Sequence, residues 1–277
     1  MSAIPDLRKK LKSVRTTEKL SKALKTVSAA KYSKLSSLFK NYSLYAKEYR
    51  KLCNTDKDTV SAENIDTVVV FGSNRGFCGG FNNDILQYLK DNVFSHYVPS
   101  HLIVCGDEMS RLLSENGFVP EQTFVFDDVP QFSEIEELYN TVAKNSEDRS
   151  DYPVMFVRSL YKNTMIQIPY SETVIFNSCN LFTENGDRLL FPDKKTVKDV
   201  IAKKLFRTVL YGAVLETALG VQAATLMTMR SAYDTATEYC ETLESEIHRQ
   251  RQRDVTADVI ETSSENASKN EGDDSNE

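Results

Sequence analysis

LETALGVQAATLMTMRSAYDTATEYCETLESEI, residues 215–247, places Leu215, Leu219, Gln222, Leu226, Met229, Tyr233, Ala236, Cys240, Leu243 and Ile247 at alternating steps of four and three. Residues at that spacing line one narrow side of an α-helix and mark a helix that pairs with another helix. The register then lands on Gln250, Asp254, Ala257 and Glu261, so the seam is expected to fade there and the helix to fray near residue 261. A partner stands at the other end of the chain. Ile4, Leu7, Leu11 and Val14 repeat the spacing, as do Leu35, Leu38, Tyr42, Tyr45, Tyr49 and Leu52. Between them the register falls on Glu18, Ser21, Lys25, Ser28 and Tyr32, whereas the apolar residues are Leu20, Ala23, Leu24, Val27 and Ala30. The seam is therefore expected to change face in the middle of this helix. A helix of about 50 residues is roughly 75 Å long at about 1.5 Å per residue and needs support along its length. Two unpaired seams favour an antiparallel or side-by-side coiled coil, with a bundle packed against the middle of the chain as the alternative.

Between the seams the pattern changes to alternating strands and helices. DTVVVFGS, HLIVCGD, QTFVFDD, VMFVRSL and SETVIFN are short apolar runs rich in β-branched and aromatic residues. DILQYLKDNVF, EMSRLLSENG and SEIEELYNTVAKN have helical spacing, and ENGDRLLFP reads as a turn into an extended edge. That order implies βαβ crossovers and a largely parallel, Rossmann-like sheet. The fold class expected is α/β, with domains at 1–58 (N-terminal coiled-coil helix), 59–195 (α/β domain), 196–262 (C-terminal coiled-coil helix) and 263–277 (disordered acidic tail).

The whole chain of 277 residues is acidic, with a formal net charge of −6, but its ends are opposed. Residues 1–51 carry 14 Lys/Arg against Asp6, Glu18 and Glu48, and residues 230–277 carry 13 Asp/Glu against 5 Lys/Arg. Such ends suit two different partners, or each other. No run approaches the roughly 18–20 apolar residues of a membrane span, and MSAIPDLRKKLKS has no apolar signal core. The five cysteines, Cys53, Cys78, Cys105, Cys179 and Cys240, form no CxxC and read as reduced thiols of a cytosolic compartment. With His96, His101 and His248 the only histidines, no metal site is expected.

Three features are candidates for chemistry. Gly72–Gly80 (GSNRGFCGG) follows a strand and precedes a helix, where doubly wound folds bind phosphate. It matches neither G-x-G-x-x-G nor the P-loop and carries no Lys, so a tight structural turn is the stronger reading. Cys78, at a helix entrance, would be a nucleophile only with a depressed pKa, and no histidine is near it in sequence. The basic N-terminal helix lacks aromatic interleaving, which argues against nucleic acid.

LKSVRTTEKLSKAL at 11–24 with VSAAK at 27–31, RGFCGGFNNDI at 75–85, NTMIQIP at 163–169 and RQRQRDVTADV at 249–259 together resemble the γ subunit of F-type rotary ATP synthases, in the family's order and spacing. The resemblance covers residues 1 to about 261. It implies an antiparallel coiled coil of the terminal helices inside a ring of α and β subunits, with the α/β domain against the ε subunit and the membrane c-ring. It further implies a non-catalytic rotor that uses no cofactor and reaches the membrane only through its complex. Residue-for-residue, Arg249, Arg251, Gln252 and Thr256, with Lys19, Lys22 and Leu24, correspond to the positions that face the stator ring.

The chain departs from the family at Leu24 and Thr26, where Met is usual, and at Asn74, Phe77, Thr225, Ile247 and His248. The family's apolar Gly/Ala-rich end is replaced by an acidic tail from Thr262 onward. A leading Met without a presequence is expected of a bacterial-type subunit on the cytoplasmic side of the cell membrane, with a processed mitochondrial form as the alternative.

Overall fold

The computed structural model describes residues 4–50, 53–54, 65–95, 98–146, 152–176, 180–181 and 193–273. Leu52 and the ENGDRLLFP stretch lie outside them, as do the last four residues of the tail. The elements are helix α1 (Ile4–Arg50), β1 (Cys53–Asn54), β2 (Thr67–Phe71), α2 (Phe81–Leu89) continued by a π-helical turn (Lys90–Phe94), β3 (His101–Cys105) and α3 (Asp107–Glu115). They continue with β4 (Gln122–Phe124), a 3₁₀ turn (Phe132–Glu134), α4 (Ile135–Asn145), β5 (Tyr152–Tyr161), β6 (Gln167–Phe176), β7 (Asn180–Leu181) and α5 (Lys194–Asp273). The chain divides into two compact units, residues 25–228 and residues 1–24 with 229–277.

In the first unit the main sheet has the order β4-β3-β2-β5-β6. Its first three neighbouring pairs are parallel and β5–β6 is antiparallel. Strands β2, β3 and β5 are largely apolar because both faces of the sheet are covered there, whereas the edge strand β6 carries Gln167, Ser171, Glu172 and Thr173 and is mostly half-buried. Val69, Phe71, Ile103, Val154 and Phe156 point to one side, into a core with Ile135, Leu138 and Val142 of α4 and Phe206, Leu210, Ala213 and Val214 of α5. Val68, Val70, Leu102, Val104 and Val157 point to the other, against Ile85 and Leu89 of α2 and Met109 and Leu113 of α3. Each fully buried side chain of this size contributes about 1.5–3 kcal/mol.

Helix α1 packs antiparallel to α5 in this unit. Tyr49 lies against Ala202 and Leu205, and Leu35 against Leu215 and Leu219. Between these contacts Tyr42 is seated on Gly212, where an added Cβ would stand 1.9 Å from the phenol oxygen. An 18-residue window of α5 reaches a mean hydropathy of 1.4, which corrects the expectation that no stretch approaches a membrane span. The cause is packing: 61% of the window is buried within the protein, because α5 meets the sheet on one side and α1 on another.

The second unit pairs the start of α1 with the last part of α5, again antiparallel. Arg15 Nη2 donates to Glu244 Oε1 at 2.5 Å, and Glu18 acts electrostatically on Cys240. Met229, Ala236, Cys240 and Leu243 are buried as the α5 heptads predict.

Two sequence expectations for the helices are corrected. The α1 seam does not change face. Ser21 and Ser28 are buried at 4% exposure, while Leu20 and Val27 are 54% and 48% exposed, so one heptad register continues from Ile4 to Leu35 through small polar residues. Further on, Ala46 rather than Tyr45 is buried, and Tyr45 packs tilted against Tyr49 with ring centroids 5.7 Å apart. Small side chains suit a seam where helices approach closely, a feature that apolarity counts do not register. The α5 backbone also stays helical to Asp273, beyond the fraying expected near residue 261. Past Gly220 its sequence offers neither proline nor glycine before Gly272 to stop it.

Candidate functional sites on the turn and the coil

The glycine turn is folded inward on itself. The Ser73 backbone N–H donates to Asn82 Oδ1 at 3.0 Å, Asn82 Nδ2 donates to Ser73 Oγ at 2.7 Å, and Ser73 Oγ donates to the Arg75 carbonyl at 2.8 Å. These bonds tie the end of β2 to the first turn of α2. The glycines allow close approach: a Cβ on Gly72 would lie 2.4 Å from Met109 Cβ, and one on Gly106 2.6 Å from the Ser73 carbonyl oxygen. Gly79 has φ +60° and lies against Thr228 of α5. Phe77 adopts φ 66° and is 64% exposed.

This arrangement disfavours the phosphate and nucleophile readings of the turn. Asp84 occupies the first turn of α2 beside Gly80, so a carboxylate faces the place where an anion would dock. The cleft that the turn forms with Ser159, Gln167 and Thr228 is about 240 Å³, below the roughly 300–1,000 Å³ usual for ligand pockets. Cys78 is 4% exposed, and burial pushes its thiol pKa up, against a smaller opposing effect of the Ser73 hydrogen bond. A thiol held protonated is a poor nucleophile.

The seven residues matched to a stator-facing surface all lie in the unit formed by residues 1–24 and 229–277. Lys19 and Lys22 on α1 are exposed, Leu24 is half-buried, and Arg249, Arg251, Gln252 and Thr256 on α5 are exposed. The structure sets them in two patches. Arg15 is level with Glu244 and Glu18 with Cys240, so Lys19, Lys22 and Leu24 lie further down the coil from the Arg249–Thr256 stretch. Thr256 Oγ1 donates to the Gln252 carbonyl at 2.8 Å, and Gln250 to Asp254 at 2.8 Å. Among the described residues no ion pair engages Arg249 or Arg251, which leaves both guanidinium groups available to carboxylates of another chain.

One polar cluster escaped the sequence reading. Arg158 of β5, Glu172 of β6 and Glu216 of α5 meet where α5 crosses the β5–β6 hairpin. Burial works against the Arg158 charge, but the carboxylates of Glu172 and Glu216 outweigh it and raise the pKa. The available signal was Glu216 itself, the sole acidic residue of α5 between Arg207 and Asp234.

A family model described as ATP synthase matches residues 3–266. The ATP synthase gamma chain of Malacoplasma penetrans is 25% identical over 282 residues, covering 94% of this chain and 97% of that relative. That of Pelagibacter ubique is 24% identical over 284 residues, with the same coverage of both. Among solved structures, a chain of the Euglena gracilis mitochondrial ATP synthase, in its OSCP/F1/c-ring assembly, superimposes with a TM-score of 0.74 at 17% identity, covering 98% of this chain and 95% of that one. A chain from the central stalk and c-ring of the Tetrahymena thermophila mitochondrial enzyme gives a TM-score of 0.64 at 20% identity, covering 77% and 99%.

Proposed function

The chain belongs to the ATP synthase γ-chain family, and from that premise we propose that it is the central-stalk rotor of an F-type ATP synthase. Rotation of the c-ring turns the chain, and its asymmetric surface drives the β subunits through their binding states; hydrolysis runs the sequence in reverse. The subunit contributes no catalytic group. Residues 1–58 and 196–262 serve as the shaft, 59–195 as the domain that meets the ε subunit and the c-ring, and 263–277 as an accessory tail. The complex places the chain on the cytoplasmic side of a bacterial-type membrane.

The observation that carries this reading is that α1 pairs antiparallel with α5 within each of the two units, with Leu35 against Leu215 and Leu219 in one and Arg15 against Glu244 in the other. A shaft needs a stiff interior and a surface whose contacts exchange cheaply. Exposed Lys and Arg side chains suit the second requirement, because each surface ion pair is worth only about 0–1 kcal/mol and creates no deep well. Arg249, Arg251, Gln252 and Thr256 form one stator-facing patch, and Lys19, Lys22 and Leu24 another.

Coexpression with the α and β subunits of its source should yield a soluble complex containing all three chains. A chain that purifies free of both would overturn the rotor reading. In calorimetry, the isolated chain should show no saturable heat with ATP, ADP or NAD, and saturable binding would return the Gly72–Gly80 turn to consideration as a phosphate site.

A further inference from the structure

Glu216 is 5% exposed in the most apolar part of α5. Its Oε1 accepts the Tyr161 backbone N–H at 2.9 Å, and its Oε2 accepts from Arg158 Nη1. Arg158, 9% exposed, donates through Nε and Nη2 to Glu172 Oε1 at 3.0 and 2.6 Å, and its guanidinium lies 5.1 Å from the Tyr170 ring centroid. One carboxylate thus ties α5 to both the side chain and the backbone of β5, and Arg158 extends the tie to β6.

The pair is poorly explained as a stabiliser. Two charges taken out of water lose hydration that their attraction barely repays, and well-packed apolar residues in their place are often neutral or better. What an ion pair and a backbone hydrogen bond add is direction. α5 has other polar ties in this unit, Arg207 to Glu136 and Tyr211 to the Pro130 carbonyl, but the apolar contacts beside Glu216, such as Leu210, Val214 and Leu219, lack direction. A bond from Glu216 to one N–H of Tyr161 does not.

We propose that Arg158 and Glu216 form a register lock that holds α5 on the β5–β6 hairpin while the rotor is twisted, and so act as positioning residues for energy coupling. The inference rests on the rotor reading. Without the lock, α5 yields under load and part of each step is lost as slippage, although the chain remains folded.

The test uses the whole membrane complex carrying Arg158→Met/Glu216→Leu, reconstituted in vesicles, with ATP hydrolysis and ion uptake measured together. The double variant should assemble, unfold near the native temperature and hydrolyse ATP at the native rate, while ion uptake per ATP falls to about half or less, since replacing both charges strands only Glu172, whose side chain is 33% exposed and hydrated. Arg158→Lys, which keeps a cation beside Glu216, should recover most of the loss. Unchanged uptake per ATP in the double variant would overturn the lock and leave the rotor reading intact. So would a double variant that fails to assemble beside a Glu216→Gln chain that assembles and couples normally, because the pair would then serve folding alone. A native chain that does not join the α and β subunits would overturn the rotor reading itself.

Discussion

Arg251 and Gln252 show how little a single residue on this coil owes to its own chain. Both are exposed on α5, and among the described residues neither side chain is bonded to α1. Replacing both with Ala therefore removes multi-donor side chains that reach toward a partner while leaving the coil's interior intact. Coupled ATP synthesis in the assembled complex should drop several-fold, and the melting temperature of the isolated chain should stay within the range of ordinary surface substitutions, about ±0.5 kcal/mol in stability. Native turnover in a fully assembled double-Ala complex would reduce the two residues to solvated helix surface. Gly212 is the opposite case, a residue defined by its contacts. With the Tyr42 ring pressed onto the site of an added Cβ, Gly212→Ala obliges either the Tyr42 side chain to shift or α1 and α5 to separate. The expected cost is about 1–3 kcal/mol by chemical denaturation, as for other overpacked sites. Tyr42→Leu in the same chain should recover part of it, and strict additivity of the two changes would show that the close approach carries no strain.

Elements were legible to the degree that apolarity reports burial. The strands β2, β3 and β5 stood out as continuous apolar runs because the sheet is covered on both faces, and the α5 heptads survive from Leu215 to Leu243 almost position for position. The middle of α1 was misread for the same reason. Its buried positions are Ser21 and Ser28, and its apolar Leu20 and Val27 face outward, so counting apolar residues moved the seam to the wrong side. The Arg158–Glu216 pair was out of reach altogether, since it joins residues 58 apart in sequence that only the completed fold brings together. The glycine turn reads in sequence as a tight turn, and the Asn82–Ser73–Arg75 bond network that shapes it is visible only in the geometry. A paired measurement decides the α1 register. Ser21→Leu, which enlarges a buried seam position, should destabilise by about 1–3 kcal/mol. Leu20→Ser, at a 54% exposed site, should change stability by no more than about 0.5 kcal/mol. The reverse ranking would restore a seam that changes face.

At the scale of the whole molecule, opposed charges at the two ends of the chain meet different demands. The basic α1 lends Arg15 to Glu244, an exposed pair that adds little stability but favours antiparallel pairing over its alternatives. Beyond Leu243 no described residue of α5 is buried, and Val259 and Ile260 are each 62% exposed, so the coil's interior is complete well before the acidic tail begins. From Glu261 onward the chain carries six acidic side chains against Lys269, a composition with almost nothing to bury. Removing residues 263–277 therefore leaves every buried seam position up to Leu243 in place. Its charges act on neighbours only within a Debye length of about 8 Å at physiological salt. The truncated chain should assemble with α and β subunits as the full chain does, melt at the same temperature, and hydrolyse ATP with rates altered by less than about two-fold, a difference that shrinks further as salt screens the tail. Loss of assembly, or of most coupled activity, would mean that the last turns of α5 make an ordered contact with the complex, and the functional shaft would then extend past residue 262.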